Sequence, residues 1–311
     1  YKALALDLDG TLINSEKKNW NYCNKNIERI MQLQEISSLW NGEKMKYKAL
    51  ALDLDGTLIN SEKKLSTKNK KAVMEAAERG VHIILASGRP LFGIEPVAEA
   101  LELSRVGGYI LAYNGGNIIN CKTKEVIYSR NFPPECIHDV CTLAKEHGVY
   151  ALSYDKDEVI SESDTDEYVL REAKCNDASV RCVENLEQYV NYPVAKFLIA
   201  GEHEKLIPIQ QELQKRHGDV IDAFCSADYF LEIVPKNVAK DRSLAALLEK
   251  LGLQREELIA CGDGMNDISM IEYAGLGAAM ENAYPPVKEK ADIIAPSNDE
   301  DGVAEIIAKY F

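Results

Sequence analysis

The sequence predicts an α/β fold, a doubly wound parallel sheet (Rossmann-like) interrupted by an inserted α+β domain. Three observations carry this expectation. Strand and helix patterns alternate from residue 47 to residue 113, and again from about residue 240 onward. The strand-like runs in both stretches are continuously apolar, as in strands covered by helices on both faces. Between them, residues 132–234 show a different texture, with many strand-like runs and only two or three helical patterns.

Taken in order, residues 1–46 read as a fragment and not as a domain. Tyr1–Lys18 recur unchanged at Tyr47–Lys64, and the stretch between holds one weak amphipathic pattern, Ile27, Ile30, Met31 and Leu33. Met45 then reads as the natural first residue of a complete protein. From Tyr47 the expected elements are a strand ALALD at 49–53, a helix at about 67–79 capped by Ser66 or Thr67 and stopped by Gly80, and a strand VHIILAS at 81–87. A helix follows Pro90 to about Leu101, then the strand YILAY at 109–113. The insert opens near Pro133-Pro134 and closes near Pro235, with the runs VYALSYD, EVISES, VAKFLIAG, VIDAFCSA and YFLEIVP. A helix at 241–251 places Leu244, Leu247, Leu248 and Leu251 on one face. LIACGDG, LGAAM, DIIA and a last helix bearing Val303, Ile306, Ile307 and Tyr310 complete the pattern. The expected division is a core of 47–131 and 235–311 with an insert of 132–234.

Composition narrows the function. A chain of 311 residues with 46% hydrophobic and 28% charged residues can bury a sizeable core. The net charge of −14, from 36 basic and 50 acidic residues, leaves no basic stripe to replace the counterions of a nucleic acid. An anionic substrate must therefore meet locally placed cations or a metal. The eight cysteines have neither a CxxC pair nor metal-ligand spacing and read as reduced thiols of a cytoplasmic protein. No run approaches the ~18 apolar residues that span a bilayer, so no membrane partner is expected.

The polar clusters of the outer segments all fall at the carboxyl ends of apolar strands, where an open parallel sheet binds its ligand. Asp53 and Asp55 end one strand, Ser87, Gly88 and Arg89 another, and Asp263, Asn266 and Asp267 a third. A carboxylate attacking a phosphate faces like-charge repulsion of ~4 kcal/mol at 4 Å and an effective dielectric of about 20. A Mg²⁺ ion shared by Asp53 and Asp263 would reverse that sign. Asp55, two residues on, has the offset to return to the same side, and Gly56 permits a sharp turn. Lys240 stands at a helix start, where the macrodipole disfavours a cation unless an anion is near; Lys236 is its rival. Each signal alone has a plain structural reading: an acidic turn, a helix cap by Asn266 or Asp267, a strand-to-helix turn before Pro90, a solvated lysine. The five histidines form no ligand pair and read as surface or packing residues.

In chain order, DLDGT, SGRP, a lysine after LEIVPKNVAK, and GDGMND together resemble the haloacid dehalogenase superfamily. NGG at 114–116, AAMENA at 278–283 and SNDEDGVA at 297–304 narrow the likeness to its Cof-type sugar phosphatases. Too few residues separate Thr57 from Ser87 for a cap domain, whereas the long interval from Arg89 to Lys240 accommodates a large inserted cap. The resemblance implies Asp53 as nucleophile, Asp55 as general acid and then base, and Ser87 and Lys240 on the phosphoryl oxygens, with Gly88, Arg89 and Asn266 beside them. It implies Mg²⁺ on the Asp53 side chain, the Asp55 backbone carbonyl and Asp263, supported by Asp267. The implied activity is hydrolysis of small phosphorylated metabolites, sugar phosphates above all, by a monomer or weak homodimer. A phosphosugar mutase and an idle phosphate-binding module are the alternatives.

Because the downstream partners occur once, Asp7 and Asp9 are expected to be inactive spares of Asp53 and Asp55. Deleting residues 1–44 is expected to leave phosphatase turnover unchanged or raised, and a large loss would show that the first copy takes part.

Overall fold

The computed structural model describes residues 46–311, so Asp7, Asp9 and the helix pattern around Ile30 lie outside the described residues. The first half builds β1 (Ala49–Leu52), α1 (Thr67–Glu78), β2 (His82–Ala86), α2 (Leu91–Ala100), α3 (Leu103–Val106) and β3 (Tyr109–Ala112), then β4 (Asn117–Asn120) and β5 (Val126–Ser129). The middle builds α4 (Ile137–Glu146), β6 (Tyr150–Asp155), β7 (Glu158–Ser161), α5 (Glu167–Cys175), β8 (Ser179–Cys182), α6 (Leu186–Tyr189), β9 (Phe197–Ala200), α7 (His203–His217), β10 (Ile221–Ala227) and β11 (Phe230–Pro235). The last part adds α8 (Lys240–Leu251), β12 (Leu258–Gly262), α9 (Ile268–Tyr273), β13 (Leu276–Met280), α10 (Pro285–Lys290), β14 (Ile293–Ala295) and α11 (Gly302–Tyr310).

Two separate sheets result. The first has the order β14-β13-β12-β1-β2-β3-β4-β5, and the second β10-β11-β9-β6-β7-β8. In the first sheet β14 through β3 run parallel, while β4 and β5 add an antiparallel hairpin at the edge. That hairpin departs from the all-parallel expectation. NIIN and VIYS are four-residue strands, too short for periodicity to separate them from loop. β8, with the sequence SVRC, escaped for the same reason, and the middle region carries four helices because α6 is a single turn.

The fully buried strands read as they pack. Ala49 and Ala51 of β1, Ile84 and Ala86 of β2, and Leu258 and Ala260 of β12 meet Leu244, Leu247 and Leu248 of α8. The helix returning to a parallel strand runs opposite to it, so the N-terminus of α8 arrives at the carboxyl ends of β1 and β2. This delivers Lys240. Among the described residues no helix is long and apolar enough to cross a membrane.

The turn after β1 is tied to distant parts of the chain. Ser66 caps α1 by accepting from the Asn69 amide at 3.0 Å, and its hydroxyl also donates to Asp301. Asn69 is 1% exposed; its amide donates to the Leu58 carbonyl, and its oxygen accepts from the Ala304 amide at 3.0 Å. Asn69→Leu is expected to leave the Leu58 carbonyl buried and unpaired and to leave the Ala304 amide only its bond to the Asp301 carbonyl, lowering stability by roughly 1–3 kcal/mol in urea denaturation.

Candidate active site

The strand order reverses between β1 and β12: the chain leaves β1 outward through β2 and β3, and later leaves β12 outward through β13 and β14. Ligands of open α/β sheets bind at such a switch point, outside the strand carboxyl ends. Asp53 follows β1 directly, its amide donating to the Cys261 carbonyl at 3.0 Å, and Asp263 follows β12. Gly56 has φ +83°, and a Cβ there would lie 2.3 Å from Asp263 Oδ2. Only glycine lets this turn close against that carboxylate. Thr57 Oγ1 donates to Asp263 Oδ1 at 3.0 Å, and Asn282 Nδ2 donates to the Gly56 carbonyl at 2.7 Å.

At the centre lies the Lys240 ammonium. It donates to Asp53 Oδ1 at 2.7 Å, Asp267 Oδ1 at 2.5 Å and the Ala86 carbonyl at 2.8 Å, which uses its three donors. Asp267 accepts on its other oxygen from the amides of Asp263 and Gly264 at 3.0 and 2.9 Å. These anions explain a cation in the first turn of α8. Lys236, the rival, is instead half-buried against Asp222.

Three carboxylates crowd that one ammonium. Burial and then the Asp267 charge push Asp53 well above the ordinary carboxylate range, against the pull of Lys240. Burial and Asp267 likewise push Asp263 up to about 6. Burial alone would lower the Lys240 ammonium, but Asp267 and Asp53 outweigh it and hold it above its ordinary value. Ligand oxygens of Asp53, Asp263 and Asp267 lie within 4.8 Å of one another, an arrangement fit for a hard divalent cation with oxygen ligands. Asp267 has already committed both oxygens to Lys240 and to amides, which leaves Asp53 and Asp263 as the freer donors.

Asp55 sits apart from this cluster. Arg89 grips it with two bonds, Nε to Oδ2 at 2.6 Å and Nη2 to Oδ1 at 2.7 Å, and Lys63 adds a third at 2.7 Å. Burial would raise Asp55, but Arg89 and then Lys63 outweigh it and hold it below its ordinary value. Arg89, expected beside the phosphate, thus has its guanidinium committed to Asp55, with Nη1 on the Gly93 carbonyl. Ser87 is 3% exposed; its Oγ accepts from the Arg89 amide at 3.2 Å and its carbonyl from the Asn114 amide at 2.9 Å. Asn266 donates to Asn114 Oδ1 at 2.9 Å, which joins the GDGMND and NGG segments.

Asp53, Asp55, Ser87 and Asp263 open into one cavity of about 280 Å³. Its far wall comes from the insert, with Glu172 on α5, Lys196 just before β9 and Glu232 on β11, none of which the sequence singled out. The available signal was a charged residue in the middle of an apolar strand run, Lys196 in VAKFLIAG and Glu232 in YFLEIVP. Thr57 and Asn282 were hidden differently, since their partners are more than 200 residues away. Among the described residues no histidine lines this cavity.

The profile of the haloacid dehalogenase-like hydrolases matches residues 50–307. A 5-amino-6-(5-phospho-D-ribitylamino)uracil phosphatase of Bacillus subtilis is 30% identical over 253 residues, covering 79% of this chain and 88% of that protein. A haloacid dehalogenase-like hydrolase structure from Bacteroides thetaiotaomicron is similar at a TM-score of 0.82 and 46% identity, covering 86% of this chain and 100% of that one. A Thermotoga maritima structure is similar at 0.74 and 32% identity, covering 85% of this chain and 97% of that one. With the doubly wound core, the switch-point carboxylates and these relatives together, the chain belongs to the haloacid dehalogenase-like hydrolase family and is a phosphatase of its Cof-type branch.

Proposed function

We propose that this phosphatase is a Mg²⁺-dependent phosphomonoesterase that hydrolyses small phosphorylated metabolites, sugar phosphates among them, through an aspartyl-phosphate on Asp53. The carrying observation is the division of labour between two carboxylates of one motif. Asp53 is buried with Asp263 and Asp267 around Lys240, while Asp55 faces the same cavity from a separate cationic clamp. Two acids held in opposed environments are what a reaction with separate nucleophile and proton carrier requires.

In the first step an Asp53 oxygen attacks phosphorus, the bond to the leaving oxygen breaks, and Asp55 gives that oxygen its proton. A phosphate dianion entering beside Asp55 raises its proton affinity, which opposes the depression set by Arg89. In the second step Asp55 takes a proton from water as the water oxygen attacks phosphorus, which releases Asp53 and inorganic phosphate. The Ser87 hydroxyl would steady a phosphoryl oxygen, Lys240 would do so with the donor that Asp53 releases as it attacks, and Asn266 would orient them through Asn114. Asp53 and Asp263 would hold Mg²⁺, with the Asp55 carbonyl completing the set and Asp267 positioning them. When bound, the ion would neutralise the crowded carboxylates and polarise a phosphoryl oxygen.

The net charge of −14 supports a small-molecule substrate over a nucleic acid. The cysteine pattern supports a reducing compartment, the cytoplasm, and we take the working state as a monomer or weak homodimer. With an aryl phosphate and Mg²⁺ the protein is expected to release phosphate, and a chelator is expected to abolish release reversibly. Asp53→Asn is expected to reduce turnover to background, and Asp55→Asn to slow it ~10²–10⁴-fold. Wild-type rates in Asp53→Asn would refute the mechanism, and phosphorus NMR showing isomerisation without free phosphate would make the protein a mutase.

A further inference from the structure

The second sheet turns an unusual face to the cavity. Along β9 and β11, Phe197, Ile199, Leu231 and Ile233 point into the insert's own apolar core. The alternate positions Lys196 and Glu232 point the other way, to the cavity, and are 1% and 6% exposed. Lys196 Nζ donates to Glu232 Oε2 at 2.7 Å and to the Gly88 carbonyl at 3.0 Å. Among the described residues Glu232 Oε1 accepts only a 3.2 Å bond from Ser226, so the carboxylate keeps acceptor capacity toward the cavity. Beside it Glu172 accepts from Tyr154 at 2.7 Å and from Asn176 at 2.9 Å.

The charges around the cavity do not balance. Asp53, Asp55, Glu172, Glu232, Asp263 and Asp267 line it, against the cations Lys63, Arg89 and Lys196. Each of those cations is already bonded to a carboxylate: Lys63 and Arg89 to Asp55, and Lys196 to Glu232. Lys240, beneath, is bonded to two. Once a phosphoryl group has taken up Lys240 and a divalent ion, the described residues of the lining offer no unpaired cation to a second anion. What the far wall offers is acceptors.

Resting on the phosphatase reading above, we propose that Glu232 and Glu172 make this site selective for phosphomonoesters with an uncharged or cationic, hydrogen-bond-donating leaving group. A substrate with a second phosphate or a carboxylate on its leaving group is rejected by like charge at the second-sheet wall. Glu232 is the key determinant, because it is the carboxylate bonded directly to Lys196. Without it, Lys196 becomes an anion-binding group aimed into the same space.

The test compares matched pairs as competitors of aryl phosphate hydrolysis with Mg²⁺: glucose 6-phosphate against glucose 1,6-bisphosphate, and glycerol 3-phosphate against 3-phosphoglycerate. In the wild type the member without the extra anion is expected to compete at least about tenfold more tightly in both pairs, a difference of ~1.4 kcal/mol. Glu232→Gln is expected to shrink that ratio at least about threefold. Because the ratio is taken within one protein, partial loss of folded enzyme does not alter it. Equal inhibition constants in the wild-type pairs, including no competition by either member, would overturn the proposal, as would an unchanged ratio in Glu232→Gln. Absence of aryl phosphate turnover is a separate failure, which removes the phosphatase reading itself.

Discussion

The fully buried ammonium of Lys240 is the interaction on which the rest of this site depends. It holds the end of β1 through Asp53, the end of β2 through the Ala86 carbonyl, and the turn after β12 through Asp267. A charge buried so completely is tolerated only when fully bonded, and removing one partner of such a group typically costs ~3–5 kcal/mol. Three strands that diverge in sequence are thereby pinned at one point. Asp267 passes the constraint on, since its second oxygen orders the amides of Asp263 and Gly264. The arrangement is overloaded with negative charge, and that imbalance is what suits it to a phosphate accompanied by a divalent ion, which together bring charge of both signs.

Much of the core was legible because its signals are local. Apolar runs such as LIACG and LGAAM announce strands buried on both faces, and the i, i+3, i+4, i+7 leucines of α8 announce the helix that covers them. The chemistry was legible for a related reason: in a doubly wound sheet the strand carboxyl ends converge at the switch point, so polar residues placed there end up as neighbours. Asp53, Ser87 and Asp263 needed no long-range information beyond strand order.

What stayed hidden depends on side-chain direction and distant partners. The sequence shows Arg89 next to Ser87 but not that its guanidinium turns to Asp55. Lys196 and Glu232 look like blemishes in apolar strands until the two sheets are seen to share a cavity. Their pairing also reaches the core, since Lys196 bonds the Gly88 carbonyl next to Ser87. The charge that shapes the far wall is therefore joined mechanically to the loop that carries the Ser87 hydroxyl.

The repeated eighteen residues show most directly how context assigns function. Tyr1–Lys18 and Tyr47–Lys64 have identical propensities, hydropathy and charge, so nothing local can distinguish Asp7 from Asp53. The difference lies in what each copy is joined to. Ala49–Leu52 pairs with β2 on one side and β12 on the other, residue for residue, so the slot that faces both Ser87 and Asp263 is filled on both edges. The following turn is held by Asp263, Asn282 and, through Ser61, by Asp299, all more than 200 residues away. The second copy flows directly into α1, whose Asn69 ties the turn to α11. One set of partners can surround one copy of the motif, and the covalent path from Lys64 into α1 gives that set to Asp53.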